Sequence, residues 1–137
     1  MDQAVIVKIK ESFARQSYMT TIGAQLDQIE PSLVSIRAPM SDHILQQHGF
    51  AHAGVAFSMG DSAAGYAALT LMPADAEVLT TEMKINLLAP ASGDVIIAKG
   101  RVIKAGRRLT IVGADVFAIT GTQEKHIAIL QGTMISS

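Results

Sequence analysis

The apolar positions near the start of the chain recur at helical spacing. Val5, Ile6, Ile9 and Phe13 fall on one side, with Lys8, Lys10, Glu11 and Arg15 between them, which predicts an amphipathic helix from Asp2 to about Gln16. The period then changes. Ala24–Ile29 reads as a strand, Glu30-Pro31-Ser32 as a turn because proline cannot continue a ladder, and Leu33–Ala38 as a second, alternating strand. Ser41 to Phe50 has no period and carries His43, Gln46, Gln47, His48 and Gly49, so it reads as a loop. Ala51–Met72 is a long helical segment closed by Pro73. Four β-rich runs follow: Val78–Leu88, Asp94–Lys104, Leu109–Ile119 and His126–Ile135. Ala105-Gly106-Arg107-Arg108 makes a hairpin-like turn, and Gly121 with its polar neighbours precedes the last run. Helices and strands do not alternate regularly, which argues against a doubly wound parallel sheet. An α+β fold is expected, with an antiparallel sheet packed on one helix. No repeat or linker divides residues 1–137, so one domain is expected.

The long helix is made of unusually small residues, including Gly54, Gly60 and Gly65. A glycine inside a helix costs about 1 kcal/mol relative to alanine, so something must need the missing methyl groups. A curved sheet lying close to the helix backbone would account for them. It would not account for Asp61, the only formally charged residue between His43 and Ala74. The residues three, four and seven positions from it are Phe57, Ser58, Ala64, Gly65, Gly54 and Ala68, so no local ion pair justifies the carboxylate. Burying it without a partner would be costly, and an acid placed this way is a functional candidate. Eight to nine positions upstream, at His52-Ala53-Gly54, the helix begins. Its first N–H groups have no internal partners and sit at the positive end of the helix dipole, where a developing oxyanion can bind. Acid and donors lie about 12 Å apart along the axis, so they can meet only if a second copy brings its own helix alongside.

Composition points the same way. Only 17% of the 137 residues are charged and 49% are hydrophobic, against about 25% charged in an average globular chain. So little charge cannot cover the outside of a small domain comfortably, and a homo-oligomer is expected. A formal charge of −1 gives no electrostatic reason to bind nucleic acid or an anionic membrane. The absence of cysteine excludes disulfides and thiolate chemistry. The start of the chain lacks the apolar core of a signal peptide, and no apolar run reaches the roughly 20 residues that span a bilayer. A cytoplasmic protein is expected.

Gly49-Phe50-Ala51-His52-Ala53-Gly54-Val55, followed by Asp61 nine residues after the histidine, resembles the G-x-x-H-G-G-V…D signature of hotdog-fold acyl-CoA thioesterases of the phenylacetate-degradation (PaaI) type. The resemblance continues through Glu82–Ala91 and Lys104–Arg108 to the closing strand. It implies a hotdog, one long helix wrapped by an antiparallel sheet, working as a homodimer with active sites at the subunit interface and pairing into a dimer of dimers. It implies that Asp61 is the general base or nucleophile and that the N–H of Ala53, contributed by the partner subunit, polarises the thioester carbonyl. Gln46 stands where the family commonly has asparagine, and Thr80 where a hydroxyl helps hold the water. Ala53 departs from the family's glycine, which is of no consequence to a backbone donor unless the site needs positive φ. The substrate implied is an acyl-CoA with an aromatic or a short- to medium-chain acyl group, touching His52, Gly54, Phe57, Ser58 and Gly65. Arg107 and Arg108 are suited to the coenzyme A phosphates. No cofactor is implied beyond the coenzyme A of the substrate.

Other chemistries have weaker support. His52, at a helix start, is better suited to fixing the local backbone than to acting as a base. His43, His48 and His52 have no carboxylate among them and no metal-ligand spacing. Gly60-Asp61-Ser62 lacks the closing glycine of a nucleophile elbow, and no dinucleotide fingerprint occurs. Met59 and Met72 fill core gaps or soften an acyl pocket. The rival readings are a hotdog enoyl-CoA hydratase or dehydratase, and a non-catalytic acyl-CoA or acyl-carrier binding module.

Overall fold

A computed structural model describes residues 1–137. Two helices open it, α1 (Gln3–Ala14) and α2 (Ser17–Ile22). Asp2 caps α1 by accepting the Ala4 N–H at 3.0 Å, and Val5 and Ile9 carry it into the core. The single opening helix expected to run to Gln16 therefore stops earlier, and a second follows. Only Met19 and Ile22 of α2 are buried, too few for a period to register. Gly23 ends it at φ 73°, the left-handed position that glycine fills without strain.

Next come β1 (Gln25–Glu30), β2 (Leu33–Pro39), the long helix α3 (Ala53–Leu69), β3 (Val78–Leu87), β4 (Val95–Ala105), β5 (Leu109–Thr120) and β6 (Gln123–Ser136). The six strands form one sheet in the order β1-β2-β4-β5-β6-β3, antiparallel throughout. Alternate residues of β5, Val112, Ala114, Val116 and Ala118, are buried in one core with Met59, Ala63, Ala64 and Ala67 of α3. One long helix against an antiparallel sheet is the expected hotdog. α3, the longest helix at 17 residues, is neither long nor apolar enough to cross a membrane.

The boundaries of α3 differ from the sequence reading of Ala51–Met72. Ala51 is held as a bridge partner of Leu45 and donates to Ala91 O at 2.9 Å, so the helix starts at Ala53 with His52 as its N-cap. At the other end Thr70 Oγ1 bonds Ala67 O at 2.6 Å. Leu71 and Met72 then leave by tighter turns onto Ala68 and Leu69, because the residue before a proline disfavours the helical region. β6 begins at Gln123, three residues before the apolar run, because β5 pairs with the polar Gln123-Glu124-Lys125 as well.

The sheet does approach the helix backbone, but chiefly at a glycine of the sheet. A Cβ on Gly100 of β4 would lie 2.2 Å from the Ala63 carbonyl carbon. Within α3, a Cβ on Gly60 would meet the flexible end of Leu130 at 2.8 Å, whereas one on Gly65 would make only ordinary contact, 3.5 Å from Met134 Cε. Packing therefore explains the missing methyl at Gly60 and leaves Gly65 unexplained.

Candidate active site

Six residues of α3 escape full burial: Ala53, Gly54, Phe57, Ser58, Asp61 and Ser62. Their spacing of three and four makes one open stripe along the helix. Asp61 is half-buried on it and takes part in none of the chain's salt bridges. Its partner is Thr80, whose hydroxyl lies 2.7 Å from Asp61 Oδ1 and 3.3 Å from Met134 Sδ. Thr80 pairs with Met134 and Glu82 with Thr133, so Thr81 is an extra residue in the ladder. Such a bulge re-aims the neighbouring side chain. Oδ1 is thus oriented by a neutral donor while Oδ2 has no donor within the chain.

At the start of the same helix, His52 Nδ1 accepts the Gly54 N–H at 2.8 Å. His52 N donates to Ile44 O at 2.7 Å, and the His52 carbonyl takes the Val55 N–H at 3.0 Å. The imidazole therefore performs the backbone-fixing task expected of it. The Ala53 N–H is left with no acceptor in the chain, an unspent donor at the positive end of α3. Ala53 is not among the residues at positive φ, so a glycine is not needed there. Gln46 folds the preceding loop: its Oε1 accepts from His48 N at 2.5 Å and Phe50 N at 3.3 Å. The two Gln46 Nε2 protons remain unspent.

Gln46, His52 and Ala53 line a cavity of about 630 Å³ whose walls include Phe50, Leu87, Leu88 and Pro90, within the range of small-molecule sites. Asp61, Thr80 and Gly65 do not reach it. They line a second cavity of about 210 Å³ with Ser12, Gln16, Ser62 and Tyr66. Eight helical residues, about 12 Å, separate Ala53 from Asp61. One chain thus brings Asp61 to Thr80 and Gln46 to Ala53, but does not bring the two pairs together. Phe57 and Ser58 lie between them on the open stripe, with Ser58 Oγ bonded to Gly54 O at 2.7 Å. Arg107 lines a third cavity, beside Ala68, Leu71 and Met72, and Arg108 is exposed at the same turn. Neither arginine lines the first two cavities. Met59 is completely buried and packs the core. No cluster of three or more His, Cys, Asp or Glu side chains is placed to hold a metal. Ser12, Gln16, Ser62 and Tyr66 belong to no motif, and their convergence beside Asp61 was not readable from spacing.

Comparison with known proteins places the fold. A solved thioesterase family protein from Silicibacter pomeroyi is 41% identical, with a TM-score of 0.93 over 96% of this chain and 97% of that one. A relative from Saccharolobus solfataricus that carries an esterase name is 29% identical over 116 residues, 85% of this chain and 75% of its own length. The PaaI protein of the E. coli phenylacetic acid degradation operon is 17% identical, and shares the fold at a TM-score of 0.85 over 98% of this chain and 94% of that one. Residues 48–125, from the loop before α3 to the start of β6, match the thioesterase superfamily, and the chain belongs to that family.

Proposed function

We propose that the protein is an acyl-CoA thioesterase whose reaction centre is completed between two copies of the chain. Asp61 and Thr80 come from one copy, Gln46 and the Ala53 N–H from the other. The observation that carries this reading is the open stripe of α3. A carboxylate oxygen without a donor and an amide proton without an acceptor stand on it, too far apart to meet within one chain. A two-fold axis near Phe57, midway between positions 53 and 61, would bring each acid to the other copy's donor, making two equal sites. β3 favours the same assembly. It is an edge strand with Leu79 and Leu87 66% and 59% exposed, and an unpaired apolar edge invites another strand. Pairing of dimers into tetramers, and work in the cytoplasm, belong to the same reading.

In such a site the thioester carbonyl accepts from Ala53 N–H and from Gln46 Nε2, which stabilise the oxyanion of the tetrahedral intermediate. Thr80 holds Asp61 through Oδ1. Asp61 Oδ2 takes a proton from water as the water oxygen bonds the carbonyl carbon. The C–S bond then breaks and the departing sulfur takes that proton, giving a carboxylic acid and free coenzyme A. In the alternative route Oδ2 itself attacks, coenzyme A leaves, and water hydrolyses the anhydride. The large cavity at the helix start suits the apolar length of the coenzyme A arm, with Arg107 and Arg108 offered to its phosphates across the dimer. The family resemblance favours an aromatic or a short- to medium-chain acyl group.

The test is thiol release over an acyl-CoA panel with Asp61→Asn as the comparison. The nearly isosteric amide should reduce turnover by about a thousand-fold or more, by analogy with loss of a catalytic base, with the oligomer unchanged by size-exclusion chromatography. Near-normal turnover in that variant would remove Asp61 from the mechanism.

A further inference from the structure

The cavity beside Asp61 has a polar floor that hydrolysis does not require. Tyr66, on α3, is buried to 6% exposure. Its hydroxyl accepts from Gln16 Nε2 at 2.7 Å and lies 3.0 Å from Ser12 Oγ. Ser62 Oγ reaches Gln16 Oε1 at 3.4 Å. Gln16 precedes α2 as its N-cap residue but makes no capping bond with its side chain, so this amide is not engaged in holding the helix. Counting protons, the Ser12–Tyr66 contact uses one of the two hydroxyl protons, whichever oxygen donates, and one Gln16 N–H is used on Tyr66. The second Gln16 N–H and the other hydroxyl proton of the Ser12–Tyr66 pair remain without an acceptor. Gln16 Oε1, held only by the long contact from Ser62, still has room to accept.

The rest of the lining fixes charge and size. Leu69, Val78 and Met134 make apolar walls, and Gly65 leaves space that a methyl group could occupy without a clash. The only charged residues at the cavity are Asp61 and Glu77, both acidic. Lys8, the nearby cation, is bonded to the Ala76 carbonyl and lies 3.3 Å from Glu77, and does not line the cavity. At about 210 Å³ the space is below the usual ligand range of roughly 300–1,000 Å³, so it fits part of a substrate. Five helical residues from Asp61 to Tyr66 span about 7.5 Å.

Resting on the hydrolase reading above, we propose that this cavity receives the acyl group and that Ser12, Gln16 and Tyr66 select a neutral acyl chain carrying a hydroxyl at its far end. A hydroxyl accepts from the unspent Gln16 proton or from the unspent hydroxyl proton of the Ser12–Tyr66 pair, and donates to Gln16 Oε1. A plain alkyl end strands those groups, and a carboxylate end meets Asp61 and Glu77 without a cation. About six single bonds, each near 1.5 Å and zigzagged, cover the distance from the reacting carbonyl to the floor.

The matched pair that tests this is 6-hydroxyhexanoyl-CoA and heptanoyl-CoA, which exchange a hydroxyl for a methyl group at equal length, with adipoyl-CoA as the anionic member. The hydroxylated substrate should have a kcat/KM roughly ten-fold or more above heptanoyl-CoA, and adipoyl-CoA should be the poorest of the three. Tyr66→Phe should lower the ratio. Ser12→Ala combined with Gln16→Leu should bring it to about one, with folding checked by thermal melting. A wild-type ratio of one or less, or a ratio that survives both variants, overturns the proposal. Calorimetric binding of the same pair to Asp61→Asn separates it from the hydrolase reading. Thiol release without hydroxyl preference removes the pocket assignment and leaves the hydrolase. Hydroxyl preference in binding without any thiol release does the reverse, and absence of both binding and release overturns the two together.

Discussion

The Ala53 N–H occupies the first helical position of α3, where a proline can be accommodated because that N–H has no intrahelical partner. His52 already has the extended backbone, φ −61° and ψ 141°, that a following proline demands. Ala53→Pro should therefore fold, with a melting temperature close to that of the parent, yet lack the backbone donor offered to the oxyanion beside Gln46. Turnover should fall by about 10²–10³ with KM little changed, the signature of an interaction made mainly in the transition state. Steady-state kinetics on the best acyl-CoA substrate checks it, and full activity would assign the donor elsewhere. At this scale the sequence is informative where a residue is anomalous by itself. Asp61 stood out because no cation lay within a helical turn. Its hydrogen bond from Thr80, 19 residues away, depends on a bulge at Thr81, which no local pattern of side chains encodes. The Ser12–Gln16–Tyr66 floor was invisible because it joins ordinary polar residues of α1 and of the turn after it to Tyr66 of α3, about 50 residues away.

The glycines divide at the scale of the element. Gly100 must lack a side chain, because a Cβ there would lie 2.2 Å from backbone atoms of α3 that cannot give way without moving helix against sheet. Gly100→Ala should cost about 3 kcal/mol or more, measured by urea unfolding, or prevent folding. Gly65→Ala should do the opposite. Its methyl meets Met134 at ordinary contact distance, and the helix gains up to about 1 kcal/mol in propensity. The same methyl projects into the cavity beside Asp61, so the more stable protein should turn over its longer substrates less well relative to acetyl-CoA. A Gly65→Ala protein both destabilised and unchanged in chain-length preference would show that the space has no bearing on the substrate. The element order was legible from the change of period along the chain, since α1, β5 and β6 each bury one regular face. What escaped was short or polar. α2 buries only two apolar residues, and the first residues of β6 are exposed and charged or polar, so hydrogen bonding to β5 rather than burial makes them strand.

At the scale of the whole molecule, Ala53 and Asp61 stand on one helix yet face different cavities. This arrangement makes a demand that no single-chain site would make. An Asp61→Asn chain still offers its Ala53 N–H and Gln46, and an Ala53→Pro chain still offers Asp61 and Thr80. Each homodimer is defective at both of its sites. A mixed dimer carries one site with both defects and one site with neither, because acid and donor in each site come from different chains. Unfolding the two inactive proteins together and refolding them at equal concentration should produce half mixed dimers by random pairing. Activity should then rise from near zero to about a quarter of the wild-type value per chain. The recovery should follow the fraction of mixed species, separable by charge through distinct affinity tags, and should be absent when the two proteins are simply combined without subunit exchange. If acid and donor instead acted within one chain, the mixed dimer would hold two singly defective sites and no activity would return at any ratio. The experiment thus reads the geometry of assembly directly from a rate.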